Sequence, residues 1–245
     1  MPSPPPTLSD RTPPQKQGAP VGVGTKFAPN GHALTYRGNT ILCRLPARHP
    51  LYEWVAGFLD DLRDSPVAGK LALLPAPSLH MTILGIANDA MRSPGEWPTD
   101  LATNTAMDDC DDHIRRRLAD FRDRGAMHFD MRLGDLVIDS AALSFHLIPS
   151  AASDELRMRG LRDDLATHFQ VRRANHDRFD FHLGIAYLLE WLTLADQEVL
   201  GDVLALAATR LTPNAMTVRF PAPELCSFET MLEYRTLAAL HEVAA

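Results

Sequence analysis

Two stretches of this chain alternate residue by residue, and each carries a histidine on its polar side. In the first, Leu79, Met81 and Ile83 face one way while His80 and Thr82 face the other. In the second, Phe179, Phe181, Leu183 and Ile185 oppose Asp180, His182, Gly184 and Ala186. A period of two is the pattern of a strand with one buried and one open face. Such strands need a layer beneath them to cover the apolar side, so the chain must build at least one sheet with helices or a second sheet behind it.

The elements around these strands follow a common plan. Leu51, Trp54, Val55, Phe58, Leu59 and Leu62 form one helical stripe ahead of the first strand. Ahead of the second, a helix is expected from a Ser153 cap, with Leu156, Leu161, Leu165 and Phe169 inward. Leu51 and Ser153 each stand 29 residues before their histidine. A polar helix is expected near Asp108–Arg124, followed by strands near 127–138 and 141–148 that turn at Asp139-Ser140. After the second histidine strand, Thr193 and Asp196 open a helix as a capping box, running to about Arg210. Strands near 215–220 and 224–233 close the chain. A further strand is expected over residues 38–45, after a turn at Asn30-Gly31. The two halves share a pattern, though few letters.

Seven of the first 20 residues are proline. This segment lacks hydrophobic periodicity, so residues 1–25 are expected to be a disordered arm and residues 26–245 a single domain. The 245 residues, 45% hydrophobic, are enough for a large core. A formal net charge of -7 argues against tight binding of duplex DNA. Of the cations, 21 are Arg and 3 are Lys. Cys43, Cys110 and Cys226 are odd in number and far apart, which fits a reducing compartment. No apolar run suits a signal peptide or a membrane span. A cytoplasmic protein without membrane attachment is therefore expected.

Ten histidines are present. His32, His49, His113, His128, His168 and His241 fall in expected loops, helix surfaces or termini and read as ordinary. His80 sits mid-strand with Thr82 on the same face. Imidazole titrates near neutrality and moves protons in either direction, and a neighbouring hydroxyl can bond a phosphate oxygen. Alone, His80 fits a satisfied core histidine as well as a catalytic one. A second in-strand histidine at the matching place of the repeat, His182, favours catalysis.

With these strands, Lys26-Phe27, Gly38-Asn39-Thr40, Trp97-Pro98 and the segment Phe181–Leu188, the chain resembles the two-histidine (2H) phosphoesterase superfamily. The likeness is to a poorly characterised, cyclic phosphodiesterase-like branch. It implies an α+β fold of two pseudo-symmetric lobes, antiparallel-rich sheets lining a central cleft, and helices outside. It implies a phosphoric diester hydrolase that works without metal or other cofactor. The substrates would be 2′,3′-cyclic phosphates or 2′–5′ linked nucleotide and RNA ends. The catalytic set would be His80, Thr82, His182 and Gly184, in a monomer. Tyr187, Asn39 and Arg92 are candidate substrate-binding residues. Gly184 departs from the family pattern, which places Thr or Ser there. The alternative reading is a weakened, non-catalytic module that binds nucleotides or RNA ends.

Two other constellations compete. His176, Asp177, Asp180 and His182 are metal-competent donors, but loop and strand divide them and no second cluster adds ligands. His146 lies on a strand with no hydroxyl two residues on, and reads as structural. Met81, Met127 and Met131 read as core filler.

Overall fold

The structure, a computed structural model, describes residues 4–12, 18–122 and 128–240. In chain order the elements are β1 (Leu8–Asp10), β2 (Gly38–Arg44), α1 (Pro50–Arg63), β3 (Leu71–Leu73), β4 (His80–Asn88), α2 (Met107–Asp120), β5 (Phe129–Ile138) and β6 (Ala142–Pro149). Then come α3 (Ala152–His168), β7 (His182–Leu188), α4 (Leu194–Ala208), β8 (Thr217–Phe220), β9 (Glu224–Phe228) and β10 (Arg235–Ala239). The fold is α+β, as the strand and helix periodicities require.

The strands run in the order β1-β5-β6-β7-β4-β2-β9-β10, with β3 on β7 and β8 on β5. Among these strands every pairing is antiparallel except β1 on β5. The two histidine strands meet in the middle of this path. They pair at one register position, Met81 with Leu183. Further along β7, β3 takes over the edge, pairing Leu71–Leu73 with residues 188–186, and the Leu74 N–H donates to the Ile185 carbonyl. The sheet therefore divides at β4 and β7 into two arms, and a cleft opens between them.

Trailing strands cross between the halves, apart from β8, which stays on the β7 side by pairing with β5. β5 and β6 follow the first histidine strand in the chain but flank the second, β7. β9 follows the second histidine strand but lies on β2, beside the first. The apolar sides of β4 and β7 (Leu79, Met81, Ile83, Phe181, Leu183, Ile185) join one core with the buried faces of the helices. At roughly 1.5–3 kcal/mol for each large apolar side chain buried, that layer holds the histidine strands at their register.

The stripe expected on α1 is the one buried. α1 packs on α4, and the Trp54 indole N–H donates to the Ala207 carbonyl at 2.9 Å. α4 opens with the capping box of Thr193 and Asp196. α3 lies over β4, where the buried Arg162 guanidinium donates to the Ile83 carbonyl and stacks on Phe179 at 4.1 Å.

Several expectations are corrected. α3 starts one residue before Ser153, with Ala151 as its N-cap and no capping side chain. Leu156 is 73% exposed, because the buried stripe runs through Asp154, Met158, Leu161, Arg162 and Leu165 instead. The strand expected over 224–233 ends at Phe228, turns, and returns as β10. The disordered arm does not describe residues 4–12 and 18–25. β1 pairs in parallel with Leu136–Ile138, and Thr7 bonds the Asp135 carboxylate. β8 covers only the first part of β5, at residues 129–132, which leaves the far part of that edge for β1 to pair with. The Val21 N–H also donates to the Ser140 carbonyl. His241 and Met127 lie outside the described residues. Among the described residues, no helix is long and apolar enough to cross a membrane.

Candidate active site

The cleft between the two arms has a volume of about 220 Å³. His80 and Thr82 line it from β4, and His182, Gly184 and Tyr187 from β7. The register of Met81 with Leu183 explains the grouping. In an antiparallel pair centred there, residue 82 faces residue 182 and residue 80 faces residue 184, all on one side of the sheet. The four residues named as the catalytic set are thus brought together.

The two histidines are held alike. His80 Nδ1 lies 2.7 Å from the Ser78 carbonyl, and His182 Nδ1 lies 2.8 Å from the Asp180 carbonyl. A carbonyl only accepts, so each Nδ1 carries the proton and donates it. Nε2 is therefore the nitrogen of each ring left to exchange a proton, in a cleft that both rings line. A short 3₁₀ turn precedes each strand: Ala76–Ser78 ends at the residue whose carbonyl meets His80, and His176–Arg178 ends two residues before the one whose carbonyl meets His182.

Their surroundings differ. His80 meets Tyr234 edge to face, with ring centroids 4.3 Å apart, and Arg44 is its register partner on β2. Burial pushes its pKa down from 6.5 to about 4, and the positive fields of His182 and Arg44 add to the effect. His80 is therefore neutral at pH 7. His182 packs against Phe179, with centroids 5.7 Å apart.

The remaining expected residues are placed as follows. Tyr187 lines the cleft, and its hydroxyl accepts from Lys26 Nζ at 3.2 Å. Asn39 reaches the cleft wall, but its amide is committed. It accepts from the Ala87 N–H and donates to Asp111 Oδ1, each at 3.0 Å, tying β2 to β4 and α2. Arg92 stands outside the cleft. Its guanidinium stacks on Trp97 at 4.2 Å, pairs with Asp89, and donates to the Thr103 and Thr105 carbonyls. The substrate-binding expectation for Arg92 is thereby corrected: a bidentate group so engaged closes its own loop.

The cleft cations are instead Lys26 and Arg173. Arg173 comes from the polar loop before β7. A Cβ on Gly85 would stand 3.2 Å from its guanidinium carbon, so that glycine makes its slot. Glu96 pairs with it at 3.0 Å. Asp139 also lines the cleft, with its carboxylate taken by the Ala141 and Ala142 N–H groups. Lys26 sits over the rings of Tyr36 and Tyr187, at 5.2 and 4.6 Å. The site has two cations and an aromatic wall, which suits an anion with a planar group attached.

The donors weighed as a metal centre are dispersed. His176 and Asp177 cluster with Asp163, but Arg172 pairs with both carboxylates. Asp180 pairs with Arg11, and His182 faces the cleft. Tyr234 and Arg173 went unnoticed in the sequence because each reaches the cleft from a loop without periodicity.

Residues 26–141 match the model of the 2H-phosphodiest family, described as a domain of unknown function (DUF1868). This is the superfamily that the motifs resemble. The matched segment contains His80 and ends before β7. A crystal structure of a conserved protein of unknown function from Agrobacterium tumefaciens is similar over 92% of this chain and 95% of its own, with a TM-score of 0.82 and 26% identity. Usb1 of Kluyveromyces marxianus is similar at a TM-score of 0.40 and 11% identity, over 88% of this chain and all of its own. No curated protein matches.

Proposed function

We propose that this chain, whose residues 26–141 match the two-histidine phosphodiesterase family, hydrolyses a phosphodiester by acid–base catalysis between His80 and His182. The observation that carries the reading is the paired geometry. Two rings donate Nδ1–H to backbone carbonyls and leave Nε2 as the working nitrogen in one cleft.

The chemistry follows from protonation states. His80 is neutral at pH 7, so its Nε2 accepts a proton from water as that water attacks phosphorus. His182 is then assigned as the acid, and its Nε2 delivers a proton to the departing oxygen. Thr82 donates its hydroxyl to a non-bridging oxygen, and Arg173 and Lys26 balance the charge that builds on the phosphoryl group. Every step of this proposal is assigned to a protein side chain and calls on no metal. A 2′,3′-cyclic phosphate or a 2′–5′ linked nucleotide end fits this arrangement. Its phosphate lies at the histidines and its base against Tyr36, Tyr187 and Lys26. A cleft of about 220 Å³ suits a single nucleotide or the last one of a strand.

Purified protein treated with EDTA is to be offered 2′,3′-cyclic nucleotides and short RNAs with cyclic ends. Turnover is expected, and is expected to be lost in His80→Ala and in His182→Ala. Turnover that disappears with EDTA would sink the metal-free mechanism, and full activity in both variants would sink the site. Gly184 motivates a second reading, a binding module. It predicts that the same nucleotides bind and are never converted.

A further inference from the structure

The second histidine strand lacks the hydroxyl that accompanies the first. Gly184 stands where Thr82 has its counterpart, and crowding does not impose that glycine. Among the described residues, a Cβ at 184 would meet just Leu74 Cδ1, at 3.9 Å. The space above Gly184 is open to the cleft.

The neighbouring strand fills the chemical gap. β6 pairs with β7 so that Ser144 is the register partner of Gly184 and His146 is the partner of His182. Partners in an antiparallel pair point to the same side of the sheet, about 4.5–5.5 Å apart at Cα. The triplet Ser144-Phe145-His146 thus runs against His182-Leu183-Gly184, and its hydroxyl lies on the cleft side. Phe145, between them, is fully buried on the opposite side. Ser144 lines the cleft while being only 8% exposed. No described residue holds its side-chain hydroxyl in a hydrogen bond, as none holds that of Thr82. A hydroxyl that lines a cleft without a protein partner is free to bond a ligand or water there.

We infer that Ser144 is the second phosphate-binding hydroxyl of the cleft, supplied from β6 in place of a side chain at Gly184. It would donate to the non-bridging oxygen on the His182 side, as Thr82 does on the His80 side. The inference deepens the phosphodiesterase reading and rests on it for the role in turnover, while phosphate binding tests it independently.

Binding of inorganic phosphate and of adenosine 2′-monophosphate is measured by calorimetry for the wild type, Ser144→Ala, Ser144→Thr and the double variant Ser144→Ala/Gly184→Ser. Turnover of 2′,3′-cyclic AMP is followed in parallel. Ser144→Ala is expected to weaken both ligands about tenfold, the worth of one hydrogen bond to a charged group. Ser144→Thr retains affinity. The double variant regains it, because its new hydroxyl enters the open space above residue 184. Wild-type affinity in Ser144→Ala overturns the inference. So does a loss that Gly184→Ser fails to restore, since the loss then comes from packing. A wild type that binds phosphate through Ser144 yet never opens the cyclic nucleotide supports Ser144 as a ligand and sinks the phosphodiesterase reading alone.

Discussion

Met81 of β4 pairs with Leu183 of β7, and at that register the two histidine strands of the protein meet. Both residues are fully buried, so the join is anchored in the core. The polar neighbours on either side, His80 and Thr82, His182 and Gly184, are turned to one cleft. A shift of one residue on either strand would send its histidine into the core and its apolar residues into the cleft.

Replacement of either histidine by alanine should lower kcat by about 10²–10⁴, the usual contribution of a positioned acid or base. Both rings are partly exposed on the cleft side, so the melting temperature should change little. Steady-state kinetics beside thermal melts test this. A loss of activity that tracks a loss of folded protein would count against a catalytic role.

The pH dependence has a defined sign. His80 works as a base when neutral, and its pKa in the folded protein is about 4. The rate should therefore hold as pH falls through 6.5 and drop near 4. An acid limb of kcat/KM centred near 6.5 would contradict the assignment. Stability changes in a related window. Between about 4 and 6.5 the unfolded chain binds a proton at His80 that the folded chain does not, so stability is lost as pH falls. His80→Ala should flatten that part of a urea-midpoint profile.

Arg92 and Arg173 should separate cleanly. Arg173→Ala removes a cleft cation and should raise KM for a cyclic nucleotide about tenfold or more, with less effect on the melting temperature. Arg92→Ala breaks a loop closure of ion pair, carbonyl contacts and Trp97 stacking. Its cost should be about 1–3 kcal/mol of stability with KM unchanged. Reversed outcomes would return Arg92 to the binding site.

Gly38 is required by its neighbours. A Cβ there would stand 2.6 Å from Phe228 and 2.7 Å from the Ala87 carbonyl oxygen. The carbonyl belongs to the sheet and cannot step aside. Gly38→Ala should cost about 1–3 kcal/mol. Thermal melts should show a clear drop, and an unaltered midpoint would mean that β2 and β9 tolerate separation.

Much of the site was legible in the letters because strand alternation is a local property. Thr82 shares a face with His80, and Gly184 with His182, whatever surrounds them. The α1 stripe was legible for the same reason, being a period written in one segment. α3 was less so, since its buried side includes Asp154 and Arg162, polar residues that a hydrophobic count leaves out. Ser144 carried a signal that a forward search misses. Ser-Phe-His is the motif reversed, and reversal acquires meaning when β6 lies antiparallel beside β7.

By itself, then, the sequence determined the alternating strands, the faces on which both histidines lie, and the missing hydroxyl at Gly184, all consequences of backbone period. Tertiary structure decided what lies beside them. It brought Arg173 and Tyr234 in from loops, turned Arg92 away, placed β5 and β6 against the opposite histidine strand, and set Ser144 next to Gly184. These are long-range pairings, selected by burial of the shared core and by the single register at which β4 meets β7. No local pattern encodes them.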